Sequence, residues 1–244
     1  NTFGADDIGR AVALQTDGKI VIAGYTNISG NNDFAVTRYN STGSQDTGFD
    51  TDGEVTTGFG FAGDDQAYAV FVQPDGKIVA AGYWAEGSPD FAVVRYNSNG
   101  SLDTSFSGDG RANVDFPGVS TNEYAYAAAR QSDGKIVLAG CTNVSGNQNV
   151  ALTRFNSDGT LDATFGTSGE VTTAVSASLF DCATGVAIQS DGKIVVTGYV
   201  ATGGFLAADV VVIRYNSNGS LDTGFGSGGI VTAFSPAITD ASPA

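Results

Sequence analysis

The tetrapeptide Asp-Gly-Lys-Ile begins at Asp17, Asp75, Asp133 and Asp191, so the interval between consecutive copies is constant. Around it the chain reads AVALQTDGKIVIAGY, AVFVQPDGKIVAAGY, AAARQSDGKIVLAGC and GVAIQSDGKIVVTGY. A second block follows each copy, DFAVTRYNSTGSQDTGF in the first, and a short third block such as GEVTTGF closes the unit. Self-similarity at a fixed period of this length indicates one supersecondary unit that is stacked four times.

Each repeat predicts four antiparallel strands, a to d. In the first copy, strand a covers Ala11–Gln15, and an Asp-Gly hairpin turn leads to strand b at Lys19–Thr26. Strand c covers Asp33–Asn40 and strand d about Glu54–Phe59. Strand c is apolar on both faces, which is typical of a sheet packed between two others. The sequence therefore predicts an all-β β-propeller in which each repeat is one four-stranded antiparallel blade.

The repeat boundaries predict a single domain over 1–244. With strand a innermost, each blade is one continuous stretch, so the four repeats are compatible with a four-bladed ring or with half of a larger ring. The chain begins at Asn1 and both of its ends resemble the junction between repeats, so we expect a segment of a longer array. The predicted blades cover about 8–59, 66–116, 124–175 and 183–234, and 235–244 is a C-terminal tail.

Composition narrows the classes of function. The net charge is −15 and the sequence pI is about 4.1, which argues against a nucleic-acid binder because that class needs a basic surface. No apolar run is long enough to insert into a membrane as a helix. The chain has no His, so the usual Ser-His-Asp and Cys-His arrangements cannot be built. On this basis we predict that the protein is not an enzyme.

The blocks Q-x-DGKI-V-x-x-G and R-[YF]-N-x-x-G-x-x-D-x-x-F resemble those of the delta-60 repeat family. These are tandem bacterial repeats of similar length, classed as β-propeller units of unknown function. The resemblance extends over all four copies. It implies a β-propeller and a secreted or cell-surface location, and it implies no particular activity.

An Arg ends strand c in every copy, and an Asp follows it eight residues later. Because a buried Arg needs a hydrogen-bonded counter-charge, we predict an Arg–Asp clamp that fixes the turn between strands c and d. The alternative is a ring of cationic ligand-binding groups. The Lys residues of the Asp-Gly-Lys turns are expected to be solvated. The predicted clamps are Arg38 with Asp46, Arg95 with Asp103, Arg154 with Asp162, and Arg214 with Asp222.

Two further features depart from the repeat. Cys141 ends strand b of the third copy and Cys182 precedes strand a of the fourth, so a disulfide between them is sterically feasible and would link neighbouring blades. The turn that contains Asp50, Asp52 and Glu54 resembles a short calcium loop, although the other copies do not keep these carboxylates. Calcium at this turn is the one cofactor that the sequence suggests.

Binding residues are expected on the variable loops. The b–c and d–a loops differ in length and composition between copies, whereas the turns at the opposite end are nearly uniform, and recognition commonly uses variable loops on a rigid scaffold. Trp84, Tyr124 and Phe180 belong to this variable rim, where aromatic rings could bind a glycan or a protein. Arg130 lies on an innermost strand where the other copies carry an apolar residue, so it is a candidate ligand in the channel.

Three functions are compatible with these features. We expect an extracellular structural or adhesive module that binds a protein partner, or assembles into a homo-oligomer or filament, through its variable rim and its termini. The alternative is a lectin-like carbohydrate-binding propeller. A hydrolase or lyase is the least favoured of the three, because the channel strands supply almost no titratable group besides Arg130.

Overall fold

A computed structural model describes residues 6–28, 30–60, 63–117, 121–144, 146–176, 180–201 and 208–233. The predicted tail at 235–244 lies outside these residues. The structured part contains sixteen β-strands, and none of its segments is a helix that could span a membrane. Blade 1 contains β1 (Asp7–Leu14), β2 (Ile20–Thr26), β3 (Asp33–Tyr39) and β4 (Glu54–Thr57), and blade 2 contains β5 (Gln66–Val72), β6 (Ile78–Glu86), β7 (Ser88–Tyr96) and β8 (Arg111–Val114). Blade 3 contains β9 (Glu123–Arg130), β10 (Ile136–Thr142), β11 (Asn149–Phe155) and β12 (Glu170–Thr173). Blade 4 contains β13 (Asp181–Ile188), β14 (Ile194–Ala201), β15 (Ala208–Tyr215) and β16 (Ile230–Ala233).

The strands of each blade pair antiparallel in chain order, so every repeat forms one four-stranded sheet. The chain is therefore an all-β propeller of four blades, and the predicted fold class is confirmed. The first strands of consecutive blades contact one another, which places strand a at the inner edge of each sheet.

The repeated Asp-Gly-Lys turn has a local physical cause. Gly18 has a φ of 84°, a value that glycine adopts without a steric penalty. The Asp17 carboxylate accepts a hydrogen bond of 3.1 Å from the backbone N–H of Lys19. The other three blades repeat this bond with distances of 3.1–3.3 Å.

A glycine near the middle of each second strand allows strand a to approach closely. At Gly82, a Cβ atom would lie 1.9 Å from the carbonyl oxygen of Gln66 in the same blade. A β-bulge in β5 lies at this point. The close approach that these glycines allow is therefore between two strands of one blade, and not between neighbouring blades.

The hydrophobic core is divided among the junctions between consecutive blades. At the first junction, Phe34 and Val36 of blade 1 pack with Ala80 and Val94 of blade 2, and all four are fully buried. The third strand of blade 2 buries its other face against blade 3, through Phe91 and other residues. This packing explains why strand c is apolar on both faces.

Three such junctions join the described residues, and no comparable packing joins blade 4 to blade 1 within them. The face of blade 1 that points away from blade 2 exposes Val12 by 65% and Leu14 by 72%. On the far face of blade 4, Val210 is 54% exposed. In the described part of the chain, the four blades thus form an arc with two apolar end faces.

Candidate functional site

The arc has two rims of different character. We call the end that carries the a–b and c–d turns the turn rim, and the end that carries the b–c and d–a loops the loop rim. Because antiparallel strands reverse direction at each connection, every blade contributes two connections to each rim. The predicted site residues divide between these rims.

On the turn rim, each predicted Arg and Asp form an ion pair, which is buried in blades 1, 2 and 3 and partly exposed in blade 4. In blade 2, Nε of Arg95 lies 2.6 Å from Oδ2 of Asp103, and Nζ of Lys77 lies 2.9 Å from the same oxygen. The expectation that the turn lysines are solvated is therefore wrong, since each is the second cation of a clamp. The other clamps are Lys19 and Arg38 with Asp46, Lys135 and Arg154 with Asp162, and Lys193 and Arg214 with Asp222, with distances of 2.7–2.9 Å.

The clamp also joins neighbouring blades. Nη1 of Arg38 donates to the carbonyl oxygen of Ser98 in blade 2 at 2.6 Å, and Arg95 donates to Ser157 of blade 3 at 2.5 Å. Arg154 donates to the equivalent carbonyl of blade 4. Since these guanidinium groups are already bonded to the protein, the geometry favours structural clamps over a ring of ligand-binding cations.

The electrostatics of the clamp are consistent with this role. Burial opposes ionisation of Asp103, but hydrogen bonds from Lys77 and Ser105, together with the charge of Arg95, outweigh it and hold the pKa of this carboxyl well below its usual range. The Arg95 guanidinium also stacks on Phe106, 4.6 Å from the ring centroid. Charge and packing therefore stabilise the same geometry.

A disulfide joins blades 3 and 4 at the loop rim. Cys141 of β10 is bonded to Cys182 of β13, and both residues are fully buried. The two cysteines occupy the repeat positions that Tyr83 and Tyr124 occupy at the preceding junction. There the two tyrosine rings contact edge to face, with their centroids 5.0 Å apart.

Tyrosines from three blades meet at the inner edge of the loop rim. Tyr68 contacts Tyr83 and Tyr126, with ring centroids 5.9 and 5.1 Å apart. Arg10 lies over Tyr68 at 5.1 Å and donates a 3.3 Å hydrogen bond to the hydroxyl of Tyr25. We call this set the tyrosine cluster, and its members are Arg10, Tyr25, Tyr68, Tyr83, Tyr124 and Tyr126.

The tyrosine cluster presents half-buried rings beside an exposed cation. Burial raises the pKa of Tyr126 to about 12, and neighbouring Tyr68 adds to the shift. The phenol group of Tyr126 therefore stays protonated at neutral pH and can both donate and accept hydrogen bonds. Such a surface can stack on an apolar ring face and bind hydroxyl groups at its edge.

Of the four predicted binding residues, only Tyr124 belongs to the tyrosine cluster. Trp84 stacks on Phe59 at 5.9 Å and packs into the first junction, so it is not an exposed anchor. Phe180 is 41% exposed on the loop rim. Arg130 is at the opposite rim, in a depression of about 350 Å³ that Arg95 also lines.

In the predicted calcium turn, the three carboxylates do not converge on a common point. Asp50 and Asp52 are exposed, Asp52 accepts the backbone N–H of Glu54, and Glu54 accepts a 2.7 Å hydrogen bond from Gln45. Each carboxylate that accepts these bonds is thus used to shape the turn. Among the residues that the structure describes, this turn does not form a group of three acidic ligands.

Another acidic group lies at the loop rim between blades 2 and 3. Oxygens of Asp90, Asp115 and Glu123 all lie within 4.8 Å of one another, and we call this group the acidic trio. Burial, with the charges of Asp90 and Asp115 added, raises the pKa of Glu123 to about 7. Burial and the charge of Asp115 raise the pKa of Asp90 to about 6.

Neither the tyrosine cluster nor the acidic trio was predicted from the sequence. The sequence does contain one signal for the cluster, because Arg10, Tyr68 and Tyr126 occupy the same repeat position. Equivalent positions on neighbouring inner strands lie close together in a propeller. The sequence signal for the trio is weaker: Asp115 is an acidic residue at a repeat position that is occupied by Gly58 and Ala174 at the first and third junctions.

Solved structures with a similar fold include carbohydrate-active enzymes. An endo-arabinase from Bacteroides thetaiotaomicron aligns with a TM-score of 0.50 and 11% identity, covering 92% of this chain and 79% of that chain. A hypothetical protein from Leishmania major aligns with a TM-score of 0.45 and 11% identity, covering 90% and 69%. An α-L-arabinofuranosidase from Podospora anserina, in complex with cellotriose, aligns with a TM-score of 0.42 and 12% identity, covering 87% of this chain and 65% of that chain.

The likeness to the endo-arabinase overturns the prediction that the chain is not an enzyme. That prediction rested on the missing histidines and on the repeated, clamp-forming charges. This likeness concerns the fold alone, but it shows that a similar fold occurs in a protein that is an enzyme. The fold therefore does not exclude catalysis.

No curated protein sequence is significantly similar to this chain. A family model described as a domain of unknown function (DUF5122) β-propeller matches four times, at residues 15–49, 73–106, 131–165 and 189–225. Each match spans the Asp-Gly-Lys turn and the clamp of one blade. Because the matches cover more than half of the sequence, the chain belongs to the DUF5122 β-propeller family.

Proposed function

We propose that the protein recognises carbohydrate through the tyrosine cluster at the inner edge of the loop rim. The observation that carries this proposal is the run of contacting rings from three blades with Arg10 beside them. Sugar rings have an apolar C–H face and a hydroxyl edge, which match tyrosine rings and their phenol groups. The fold shared with an endo-arabinase supports the same class of ligand.

Two finer assignments accompany this proposal. The disulfide between Cys141 and Cys182 supports a secreted or cell-surface location, because disulfides persist in oxidising compartments. The Asp-Gly-Lys-Ile and Arg-[Tyr/Phe]-Asn blocks support assignment of the repeats to the delta-60 type.

A glycan array followed by calorimetry with the bound oligosaccharides tests the proposal, with arabinan oligosaccharides included. Tyr68→Ala removes the central ring of the cluster, and we expect it to weaken binding at least about tenfold. Phe180→Ala is the matched control, because it removes an exposed aromatic ring on the same rim outside the cluster. We expect it to bind as the native protein does.

Two results would contradict the proposal: no glycan bound by the native protein, or equal losses in the two variants. Thermal unfolding of Tyr68→Ala must show a single native-like transition, so that lost binding is not lost folding. Release of reducing ends from arabinan, measured in the same samples, would show that the protein hydrolyses the glycan as well as binding it.

A second candidate function is assembly of this chain with further copies of itself. The end face of blade 1 exposes Val12 and Leu14, whereas the equivalent Val70 and Val72 of blade 2 are half-buried against blade 1. This end face also contains a groove of about 210 Å³, partly lined by Ile22. The occupant that fits it is the far face of blade 4 in a second copy, since every interior junction joins these two kinds of face.

The clamp of blade 4 supports the same occupant. The side chain of Arg214 is 23% exposed, whereas those of Arg38, Arg95 and Arg154 are 6–7% exposed. The three buried arginines reach a carbonyl of the following blade. Arg214 has no such carbonyl in the described residues, so a docked blade 1 would supply it.

Sedimentation velocity over a range of concentrations tests this second candidate. Head-to-tail docking predicts species larger than 24.8 kDa, either closed rings or filaments. Leu14→Asp should shift the distribution to monomer, whereas Ile28→Asp, at another exposed apolar residue, should not. A native protein that stays monomeric at every concentration would refute it.

A further inference from the structure

We propose that Asp90, Asp115 and Glu123 form a calcium-binding site between blades 2 and 3. Asp90 lies on β7, Asp115 directly follows β8, and Glu123 begins β9, so the junction itself brings the three together. Oxygens within 4.8 Å of one another can all reach one ion, because calcium–oxygen distances are about 2.3–2.6 Å.

One member of the trio is a buried carboxylate with an unsatisfied oxygen. Glu123 is 0% exposed, and its Oε1 accepts a 2.9 Å hydrogen bond from the hydroxyl of Thr142. Its Oε2 is buried and has no hydrogen-bond partner. The nearby Thr121 hydroxyl donates instead to the carbonyl oxygen of Phe116. A buried oxygen in this state requires a ligand to compensate its desolvation.

The other two junctions show how this position is satisfied when no ion is needed. At the first junction, Asp65 replaces Glu123, and its carboxylate accepts backbone N–H groups of Phe59 at 2.8 Å and Ala85 at 3.3 Å. At the third junction, Asp181 accepts two backbone N–H groups at 2.7 and 2.8 Å. The position is therefore acidic at every described junction, but of these three carboxylates only that of Glu123 retains an unpartnered oxygen.

The second junction also concentrates negative charge. Position 115 is Asp there, whereas the equivalent residues of the first and third junctions are Gly58 and Ala174. Within the described residues, none of the Lys or Arg side chains forms an ion pair with the trio. Three carboxylates this close repel one another, and a bound divalent cation removes that repulsion.

The donor set selects calcium among the common divalent ions. All three ligands are carboxylate oxygens, which suit calcium and magnesium, whereas zinc sites use His and Cys, and here both cysteines form the disulfide. Magnesium retains most of its water shell, but Glu123 is fully buried and must bind directly. Asp115 borders a depression of about 700 Å³, through which an ion and its remaining waters can enter.

Calorimetry with calcium chloride, after treatment with a chelator, tests the proposal on the full chain. We expect one site with a Kd on the order of 10⁻⁴ M, as for extracellular calcium modules. Calcium at about 100 times this Kd should raise the unfolding midpoint by roughly 5–10 °C. Magnesium at the same concentration should raise it by less than about 2 °C.

Asp115→Asn is the main variant, because Asp115 is exposed and its loss does not open a cavity. We expect it to weaken calcium binding at least about tenfold. Glu54→Gln is the matched control: it also removes one negative charge, at the turn that the sequence suggested for calcium, and we expect native affinity. No binding by the native protein, or equal weakening in both variants, would overturn the proposal.

Discussion

The two rims of this propeller differ in how they use the repeat. On the turn rim, the same Lys–Asp–Arg clamp recurs in all four blades, with nitrogen–oxygen distances of 2.6–2.9 Å. On the loop rim, equivalent positions carry a tyrosine pair at one junction and a disulfide at the next. Uniform positions hold the blades together, and positions that vary are available for binding. Substitutions on the turn rim should therefore affect stability most, and those on the loop rim should affect binding.

The largest effect is expected from Arg95→Ala on the turn rim. This change leaves Asp103 buried with only Lys77 as a counter-charge, and it also removes the bond to Ser157 in blade 3. Breaking a buried ion pair on one side costs about 3–5 kcal/mol of unfolding free energy. Urea denaturation followed by tyrosine and tryptophan fluorescence measures it.

Arg214→Ala is the control for this prediction. It removes the same residue type and the same ion pair, but Arg214 is more exposed, and no bond to a following blade is seen in the described residues. We expect a loss of about 1–2 kcal/mol, between those of an exposed and a buried pair. Equal losses in the two variants would show that the bond across the junction adds nothing.

The next largest effect concerns the loop rim, where the disulfide replaces a tyrosine pair. Changing both Cys141 and Cys182 to Ser should lower the free energy of unfolding by about 2–4 kcal/mol, because the bond closes a loop with a sequence separation of 41 residues. Changing both to Tyr, which copies Tyr83 and Tyr124, should recover about 1 kcal/mol of that loss through ring contact. A Tyr–Tyr variant less stable than the Ser–Ser variant would show that the two junctions are not interchangeable.

The rims should also respond to pH in opposite directions. The pKa values of the four clamp aspartates are lowered, so their contribution to stability is present above about pH 4 and is lost as the pH falls further. Burial raises the pKa of Asp65, on the loop rim, from 3.8 to about 6. Its contribution is therefore present below pH 3.8 and is lost as the pH rises to about 6.

Asp65→Asn isolates the second effect. Between pH 4 and 7, the stability of the native protein relative to this variant should fall by about 2–3 kcal/mol, since one pKa unit corresponds to about 1.4 kcal/mol. Urea denaturation at each pH measures the difference. The variant also loses a hydrogen-bond acceptor, which lowers its stability at every pH and leaves the slope unaffected. A difference that does not change with pH would contradict the raised pKa.

Much of the fold could be predicted from the repeat alone. The Asp-Gly-Lys turn and the doubly apolar strand c predict stacked four-stranded sheets, because both features depend on local chemistry and on burial. The spacing of Arg95 and Asp103 likewise suggested the ion pair that the structure contains. Trp84 illustrates the limit, since its exposure depends on whether Phe59 of the neighbouring blade covers it.

The two candidate sites could not be predicted in the same way. Tyr68 and Tyr126 belong to different repeats, and their contact depends on how closely the inner strands of two blades approach. The acidic trio combines residues from β7, the end of β8 and the start of β9, so its geometry exists only once the second junction has formed. Such groupings arise from differences between copies, whereas the sequence pattern is strongest where the copies agree.

The smallest effect is expected from Lys77→Met, which tests whether the lysine of the clamp matters apart from the arginine. Its ammonium group lies 2.9 Å from Asp103, but the side chain is 28% exposed, so solvent and salt weaken the attraction. Met retains the apolar stem, and we expect a loss of about 0.5–1 kcal/mol at low salt that shrinks in about 1 M sodium chloride. Denaturation at both salt concentrations measures it. A loss as large as that of Arg95→Ala would mean that the two cations hold the aspartate equally, and that the bond across the junction is not what distinguishes the arginine.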